Sequence, residues 1–173
     1  VVIAHLGTGA SLCAVKGGRS IASTMGFSAL DGLPMGTRSG QLDPGVLLYL
    51  MSQKGMSASE IEWLLYRESG LLGLSGLTHD MRTLQASDLP EAKQAIDYFC
   101  FRIRREIGAM VASLGGLDAL IFCGGIGENS ERIRQEVIAP LGIFGLGTKV
   151  PVKVIRTNEE LVMARATQNF LRA

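Results

Sequence analysis

Cysteine is scarce in this sequence and excess charge is nearly absent, and each shortage argues against a class of function. The three cysteines, Cys13, Cys100 and Cys123, show no CxxC spacing and no histidine at metal-ligand spacing, so neither a disulfide scaffold nor a structural zinc site is predicted. The formal net charge is +1, from 17 basic and 16 acidic residues, so no global field would draw the protein to nucleic acid or to an anionic membrane. We therefore expect a small-molecule ligand.

Long apolar runs and targeting segments are also missing. No apolar run approaches the roughly 20 residues that span a bilayer, and no basic region precedes an apolar one at the N-terminus. We therefore expect a cytoplasmic protein with reduced thiols and no membrane partner. The sequence starts at Val1, inside an apolar run and without an initiator Met. We accordingly expect the chain to be part of a longer protein.

The composition is otherwise that of a folded domain. Apolar residues make up 47% of the chain and charged residues 19%, which provides a substantial core and argues against disorder. The length of 173 residues fits one domain, for which roughly 100–200 residues is usual.

Turn signals divide the first third of the chain. Residues 1–5 form a β-branched run. In residues 10–23, apolar and polar residues alternate in two segments joined at Gly17-Gly18, a two-residue hairpin turn. Three antiparallel strands are therefore expected at the start. Residues 26–45 are rich in glycine, contain two prolines and lack a sustained period, which predicts a long ordered loop.

Helical spacing dominates the rest of the chain. Asp43 can cap a helix starting at Pro44, and Ser57 with Glu60 forms a capping box for the next helix. Residues 91–114 are the longest helical pattern, whose apolar faces could serve the core or a homodimer interface. A buried strand "LDALIFCGG", a helix "NSERIRQEVIAPL", a strand "VPVKVIRT" and a final helix "NEELVMARATQNFL" follow. The result is an α/β domain in which three antiparallel strands lead into β-α-β-α with parallel pairing.

The stretch "HLGTGAS", residues 5–11, is a candidate phosphate-binding turn. It is not a dinucleotide fingerprint, because strand-like alternation rather than a helix follows Gly9. "GIFGLGTK", residues 142–149, is not a P-loop, because the hydroxyl residue precedes the lysine. A tight turn could instead leave successive backbone N–H groups of residues 7–9 free for an anion. An ordinary hairpin turn is the alternative.

Five motifs together make the sequence resemble the C-terminal half of the acetate kinase family. They are "HLGTGAS", "MGTRSG", "SGLLGLSG" followed by "HDMR", "GGIGENS" and "TNEELVMAR", in the family's order. The resemblance implies an actin-like (ASKHA, ribonuclease H-like) fold, the C-terminal nucleotide-binding lobe over residues 1–173 and an absent N-terminal lobe. It also implies reversible transfer of the ATP γ-phosphoryl group to acetate, giving acetyl phosphate and ADP, with Mg²⁺ or Mn²⁺ and a homodimer.

The resemblance also assigns roles to individual residues. Arg38 corresponds to the arginine that stabilises the transition state, and Glu159 to the acidic residue associated with the metal. The family's phosphate-binding turn is matched by His5, Leu6, Gly7, Thr8 and Gly9. Its nucleotide-contacting segment is matched by Asp80, Met81 and Arg82. Its adenosine-side loop is matched by Gly125, Ile126, Gly127, Glu128 and Asn129.

Chemistry supports some of these roles and leaves alternatives open. A planar guanidinium can bond two equatorial oxygens of the transferring group at once, although Arg38 could instead pin its own loop to a carboxylate. Glu159 opens the last helix, where capping competes with metal binding. His5 is expected to bond phosphate or backbone rather than act as an acid or base, and His79 is expected at the surface.

The sequence also departs from the family pattern. Thr8 stands where asparagine is usual, and Ala29 stands where proline is usual beside the acyl pocket. The segment between "APLG" and "TNEE" is shorter than usual. Because the other half of the active site is missing, we expect the isolated chain to be inactive. Alternatives are a kinase for propionate or another short-chain acid, a non-catalytic nucleotide-binding or dimerisation module, and a sugar kinase.

Overall fold

The computed structural model describes residues 1–172, apart from the side chain of Glu159. Five strands form one sheet with the order β3-β2-β1-β4-β5. The strands are β1 (Val2–Leu6), β2 (Ala10–Lys16), β3 (Arg19–Ser23), β4 (Leu120–Cys123) and β5 (Val152–Val154). The helices are α1 (Pro44–Lys54), α2 (Ala58–Arg67), α3 (Gly70–Ser75), α4 (Met81–Gln85), α5 (Pro90–Leu114), α6 (Gly124–Asn129), α7 (Glu131–Ile138) and α8 (Glu159–Arg172), with a 3-10 helix at Ala139–Phe144.

The sheet has the mixed pairing that the sequence predicts. Strands β1, β2 and β3 pair antiparallel in succession, while β4 lies parallel to β1 and β5 lies parallel to β4. Because β1 and β4 are parallel neighbours, their carboxyl ends meet at one edge of the sheet. The turn after β1 and the helix after β4 therefore lie next to each other.

Helix α5 crosses the sheet and forms the centre of the core. Its buried face packs against β1, β2 and β3 and against the short helices α3 and α4. Phe99, Ile103 and Ile107 on this face are completely buried. The apolar face of the longest helix is thus used within the chain, as the core-packing alternative predicted.

Several predicted boundaries are confirmed and others are wrong. Asp43 caps α1, and the capping box of Ser57 and Glu60 begins α2. The segment "GGIGEN", predicted as a loop, forms α6 instead, and three residues of "VPVKVIRT" join the sheet. The short helices α3 and α4 have no counterpart in the sequence-based prediction.

Two helices leave apolar side chains without cover. Helix α1 buries none of its residues, and Leu48 and Met51 on it are exposed. Every described side chain of α8 is exposed, including Phe170 and Leu171. None of the described helices combines the length and apolar character needed to cross a membrane.

Candidate functional site

A cavity of about 830 Å³ lies at the edge of the sheet where β1 and β4 end. Three segments that are distant in sequence surround it: the turn at residues 7–9, the start of α4, and α6 with the residue that follows. The cavity is lined by Gly7, Thr8, His79, Asp80, Met81, Arg82, Gln85, Gly125, Ile126, Asn129 and Ser130.

The turn after β1 offers two backbone donors rather than three, and of the two residues only Thr8 lines the cavity. The amide of Gly7 donates to the carbonyl of Gly9 at 2.9 Å, which closes the turn and corrects the expectation of successive free amides. The amides of Thr8 and Gly9 have no acceptor within the described part of the chain, and both residues are exposed. An anion at this turn could therefore accept from two amides and from the Thr8 hydroxyl.

Glycine allows the turn and α6 to approach closely. Gly124 has a φ of +77°, and a Cβ there would lie 2.7 Å from the carbonyl oxygen of Leu6. This conformation lets the chain pass directly from β4 into α6. A Cβ added to Gly7 would in turn lie 3.8 Å from the amide nitrogen of Gly125. Larger residues at Gly124 would separate the two walls of the cavity.

The start of α4 brings opposite charges to the cavity. The Asp80 carboxylate accepts from the Thr83 hydroxyl at 2.9 Å and from Nε of Arg82 at 3.3 Å. The Thr83 hydrogen bond is the main reason that the pKa of Asp80 lies below its ordinary value. The Arg82 side chain is 91% exposed, so its cationic group is accessible at the mouth of the cavity.

Glu128 points away from the cavity, although the resemblance placed it with the nucleotide-contacting residues. Its carboxylate accepts from the amides of Thr157 at 2.8 Å and Gly124 at 3.1 Å. The hydrogen bond from the Thr157 amide is the largest cause of a lowered pKa for Glu128. Glu128 therefore fastens the "TNEE" segment to the start of α6.

Arg38 also lies outside the lining of the cavity. Its Nη1 donates to the carbonyl oxygen of Ala29 at 3.3 Å, and its guanidinium lies 6.0 Å from the ring centre of Tyr66. The partner is therefore a carbonyl rather than the carboxylate considered from the sequence. The loop that carries Arg38 nevertheless reaches the cavity, because the Gly36 amide donates to the Thr8 carbonyl at 3.0 Å.

Helix α3 holds the Arg38 loop from its other side. The amides of Leu71 and Leu72 donate to the carbonyls of Met35 and Gly36, at 2.9 and 3.0 Å. Gly70 has a φ of +60°, and a Cβ there would lie 2.2 Å from the Met35 oxygen. Gly70, the first glycine of "SGLLGLSG", is thus required for the contact between α3 and the loop.

The remaining predicted residues support the site from outside. His5 lies near the end of β1, with its Nδ1 3.6 Å from the sulfur of Cys123, its partner on β4. Leu6 and Gly127 are buried, and a Cβ on Gly127 would contact both Leu6 and Phe122. Neither these residues nor Gly9 line the cavity.

Three lining residues were not assigned to the site by sequence reasoning. His79 is exposed, as expected, but it also lines the cavity. The Ser130 hydroxyl donates to Oε1 of Gln85 at 2.8 Å and joins α7 to α4 across the cavity floor. The spacing from Met81 to Gln85 would have revealed Gln85 only if α4 had been recognised as a helix.

The described side chains contain no group of three or more His, Cys, Asp or Glu residues that could hold a metal ion. The predicted metal residue, Glu159, has a side chain outside the described part of the structure. Its backbone begins α8, two residues after Thr157, whose amide is held by Glu128.

Comparison with known proteins identifies relatives along almost the whole chain. The model of the acetokinase family matches residues 1–149. An acetate kinase of Methylocella silvestris is 59% identical over 188 aligned positions that cover 99% of this chain and 46% of the relative. An acetate kinase of Nitrobacter hamburgensis is 54% identical and covers the same shares. The chain spans about half the length of the curated relatives it matches.

Solved structures show the same arrangement of elements. The acetate kinase of Porphyromonas gingivalis superposes with a TM-score of 0.94 at 35% identity, over 98% of this chain and 48% of that protein. A propionate kinase from Francisella tularensis gives a TM-score of 0.90 at 39% identity, over 97% of this chain and 48% of its own. These similarities confirm the predicted α/β class and actin-like fold.

Proposed function

This chain belongs to the acetokinase family, and on that premise we propose that residues 1–173 are the C-terminal, nucleotide-binding lobe of an acetate kinase. The reaction is the reversible transfer of the ATP γ-phosphoryl group to acetate, giving acetyl phosphate and ADP. The observation that carries this proposal is the cavity of about 830 Å³, where three segments predicted to contact nucleotide converge.

The lining suits the two ends of a nucleotide. The Thr8 amide and hydroxyl and the Arg82 guanidinium are donors for phosphate oxygens in the lining, and the Gly9 amide follows in the same turn. Met81 and Ile126 offer apolar surface for the base. Phosphoryl transfer depends mainly on positioning and charge stabilisation, and these groups supply both.

Arg38 is proposed to stabilise the transferring group. Its loop is bonded to Thr8 through the Gly36 amide, so the backbone of the loop adjoins the phosphate turn, although the guanidinium does not line the nucleotide cavity. To reach the transferring group, Arg38 exchanges the Ala29 carbonyl for phosphoryl oxygens, which bind a guanidinium more strongly because they are charged.

A divalent cation, Mg²⁺ or Mn²⁺, is proposed to accompany the nucleotide. Mg²⁺ is usually held by one or two carboxylates together with phosphate oxygens and water, and it needs no cage of protein ligands. Glu159 is the proposed carboxylate. The hydrogen bond that the Thr157 amide donates to the Glu128 carboxylate keeps the segment before Glu159 beside α6. The bound cation would neutralise charge on the phosphates.

The exposed apolar surfaces of α1 and α8 support the proposal of two partners. We propose that an N-terminal lobe closes the cleft and that a second copy of the protein completes a homodimer in the cytoplasm. The exposed apolar residues of α1 and α8 provide surface for these contacts.

Propionate or another short-chain acid is a second candidate substrate. The similarity to the propionate kinase of Francisella tularensis favours it. Ala29 favours it as well, because a small side chain beside the acyl pocket relaxes discrimination by the roughly 1–3 kcal/mol that one methylene is worth.

Titration calorimetry with ADP, with and without Mg²⁺, tests the nucleotide site. Gly125→Leu places a side chain in the cavity at a position where a Cβ meets nothing within 4 Å, so it should abolish the heat of binding without unfolding the protein. Gly142→Leu is the matched control, because a Cβ there is equally unobstructed and the residue lies outside the cavity. No heat with the unmodified chain, or equal binding by the Gly125 variant, would refute the proposal.

A further inference from the structure

Helix α5 buries an arginine that has no acidic partner. Arg102 is 5% exposed, and the ion pairs of the described residues do not include it. Burying a guanidinium is costly unless its donors are satisfied. Nε has no partner among the described residues, so the groups bound by Nη1 and Nη2 indicate what Arg102 stabilises. Those groups are neutral dipoles.

The dipoles come mainly from the two ends of one loop. Nη2 of Arg102 donates to Oε1 of Gln41 at 3.0 Å and to the carbonyl oxygen of Gly32 at 3.3 Å. The backbone N–H of Gln41 donates to the Gly32 carbonyl at 2.9 Å, so residues 32 and 41 form the neck of the loop. On the helix, Nη1 donates to the Tyr98 hydroxyl at 2.9 Å, and the Tyr98 ring lies 5.8 Å from the guanidinium.

The loop closed by this neck carries Arg38. Within it, the Met35 amide donates to the Arg38 carbonyl at 3.0 Å, which forms a turn. The same turn presents the Gly36 amide to Thr8 of the phosphate turn. A displacement of the neck would therefore move Arg38 and Gly36 together relative to the cavity.

We propose that Arg102 is a positioning residue, which closes the neck of the loop at residues 32–41 and thereby holds the loop that carries Arg38 in place beside the phosphate turn. The catalytic meaning of this clamp rests on the function proposed for Arg38. The clamp itself does not, because it consists of contacts within the folded chain. Arg105 donates to the same oxygen of Gln41 from the exposed side of α5, and it cannot replace the bond to Gly32.

Amide hydrogen exchange measured by NMR tests the clamp without nucleotide. In Arg102→Met, the amides of Met35, Ser39 and Gln41 should exchange at least about tenfold faster, because the loop opens locally while the core stays closed. Arg102→Lys keeps the charge and loses the planar fork, so it should restore only part of the protection.

The matched control is Arg104→Met on the same helix. Nη1 of Arg104 donates to the Glu136 carbonyl at 3.0 Å and thus anchors α7 rather than the loop. This variant should leave exchange at residues 33–41 unchanged. Faster exchange throughout α5 and β1 in the Arg102 variants would show a general core role and overturn the proposal. Unchanged amide exchange in the loop would overturn it as well.

A second variant and a second measurement keep the two proposals separately testable. If Arg102→Met fails to fold, the lysine variant alone gives the result. The loop amides of that variant should exchange faster than in the unmodified chain, while exchange in β1 stays the same. ADP calorimetry on the unmodified chain separates the two proposals: absent binding would refute the nucleotide site and leave the clamp intact.

Discussion

Glu128 is a carboxylate whose charge is used for structure. Its lowered pKa, caused first by the Thr157 amide, means that folding favours the ionised form. Because the folded pKa lies below the unfolded one, the stabilisation is complete above the ordinary value near 4.5 and is lost as the pH falls through the folded pKa.

Glu128→Gln should therefore lower the free energy of unfolding at pH 7. The gap between the free energies of unfolding of the variant and the unmodified chain should shrink at acidic pH. Urea unfolding at pH 7 and near pH 3 measures this change. Glu62→Gln on α2 is the control, since Glu62 is an exposed carboxylate on that helix. A pH-independent difference would contradict the assigned role.

The direction of side chains could not be predicted at this scale. The turn at residues 7–9 and the helix at Gly125 were predictable neighbours, because β1 and β4 are parallel and adjacent. Glu128 and Arg38 turn toward the Thr157 amide and the Ala29 carbonyl, respectively. Such choices depend on tertiary partners that periodicity does not encode.

At the scale of elements, capped helices were predictable and short ones were not. The cap at Asp43 and the capping box at Ser57 are local signals, and both helices begin where predicted. Helices α3, α4 and α6 have only five or six residues, too few for a recognisable apolar face. Their formation depends on tertiary contacts, such as the carbonyls of Met35 and Gly36 that accept from the first amides of α3.

The start of α3 yields a prediction of its own. Gly70→Ala should cost at least about 1–3 kcal/mol of unfolding free energy, because it adds an unfavourable φ and a clash with backbone atoms of the Arg38 loop. Gly76→Ala, at the other end of α3, has a φ of +63° and open space, and it should cost only the backbone strain. Equal losses in urea unfolding would show that the contact with the loop adds nothing.

At the scale of the whole molecule, the proposed function makes this chain one wall of a cleft. We expect no acetyl phosphate from ATP, Mg²⁺ and acetate with the pure 173-residue chain, because one wall cannot exclude water or hold both substrates in line. An intact acetate kinase in the same assay is the positive control. Acetyl phosphate formation that depends on ATP and Mg²⁺ would contradict this expectation.

The uncovered state of α8 has a consequence for how the protein matures. A helix of 14 residues with every described side chain in water is only marginally stable by itself. On the proposal that α8 docks on a partner surface, most of its order would come from that surface, so folding of the helix and docking would be thermodynamically one event. Helix α8 would then act as an intrinsic reporter of completed assembly, becoming rigid only once that surface has formed.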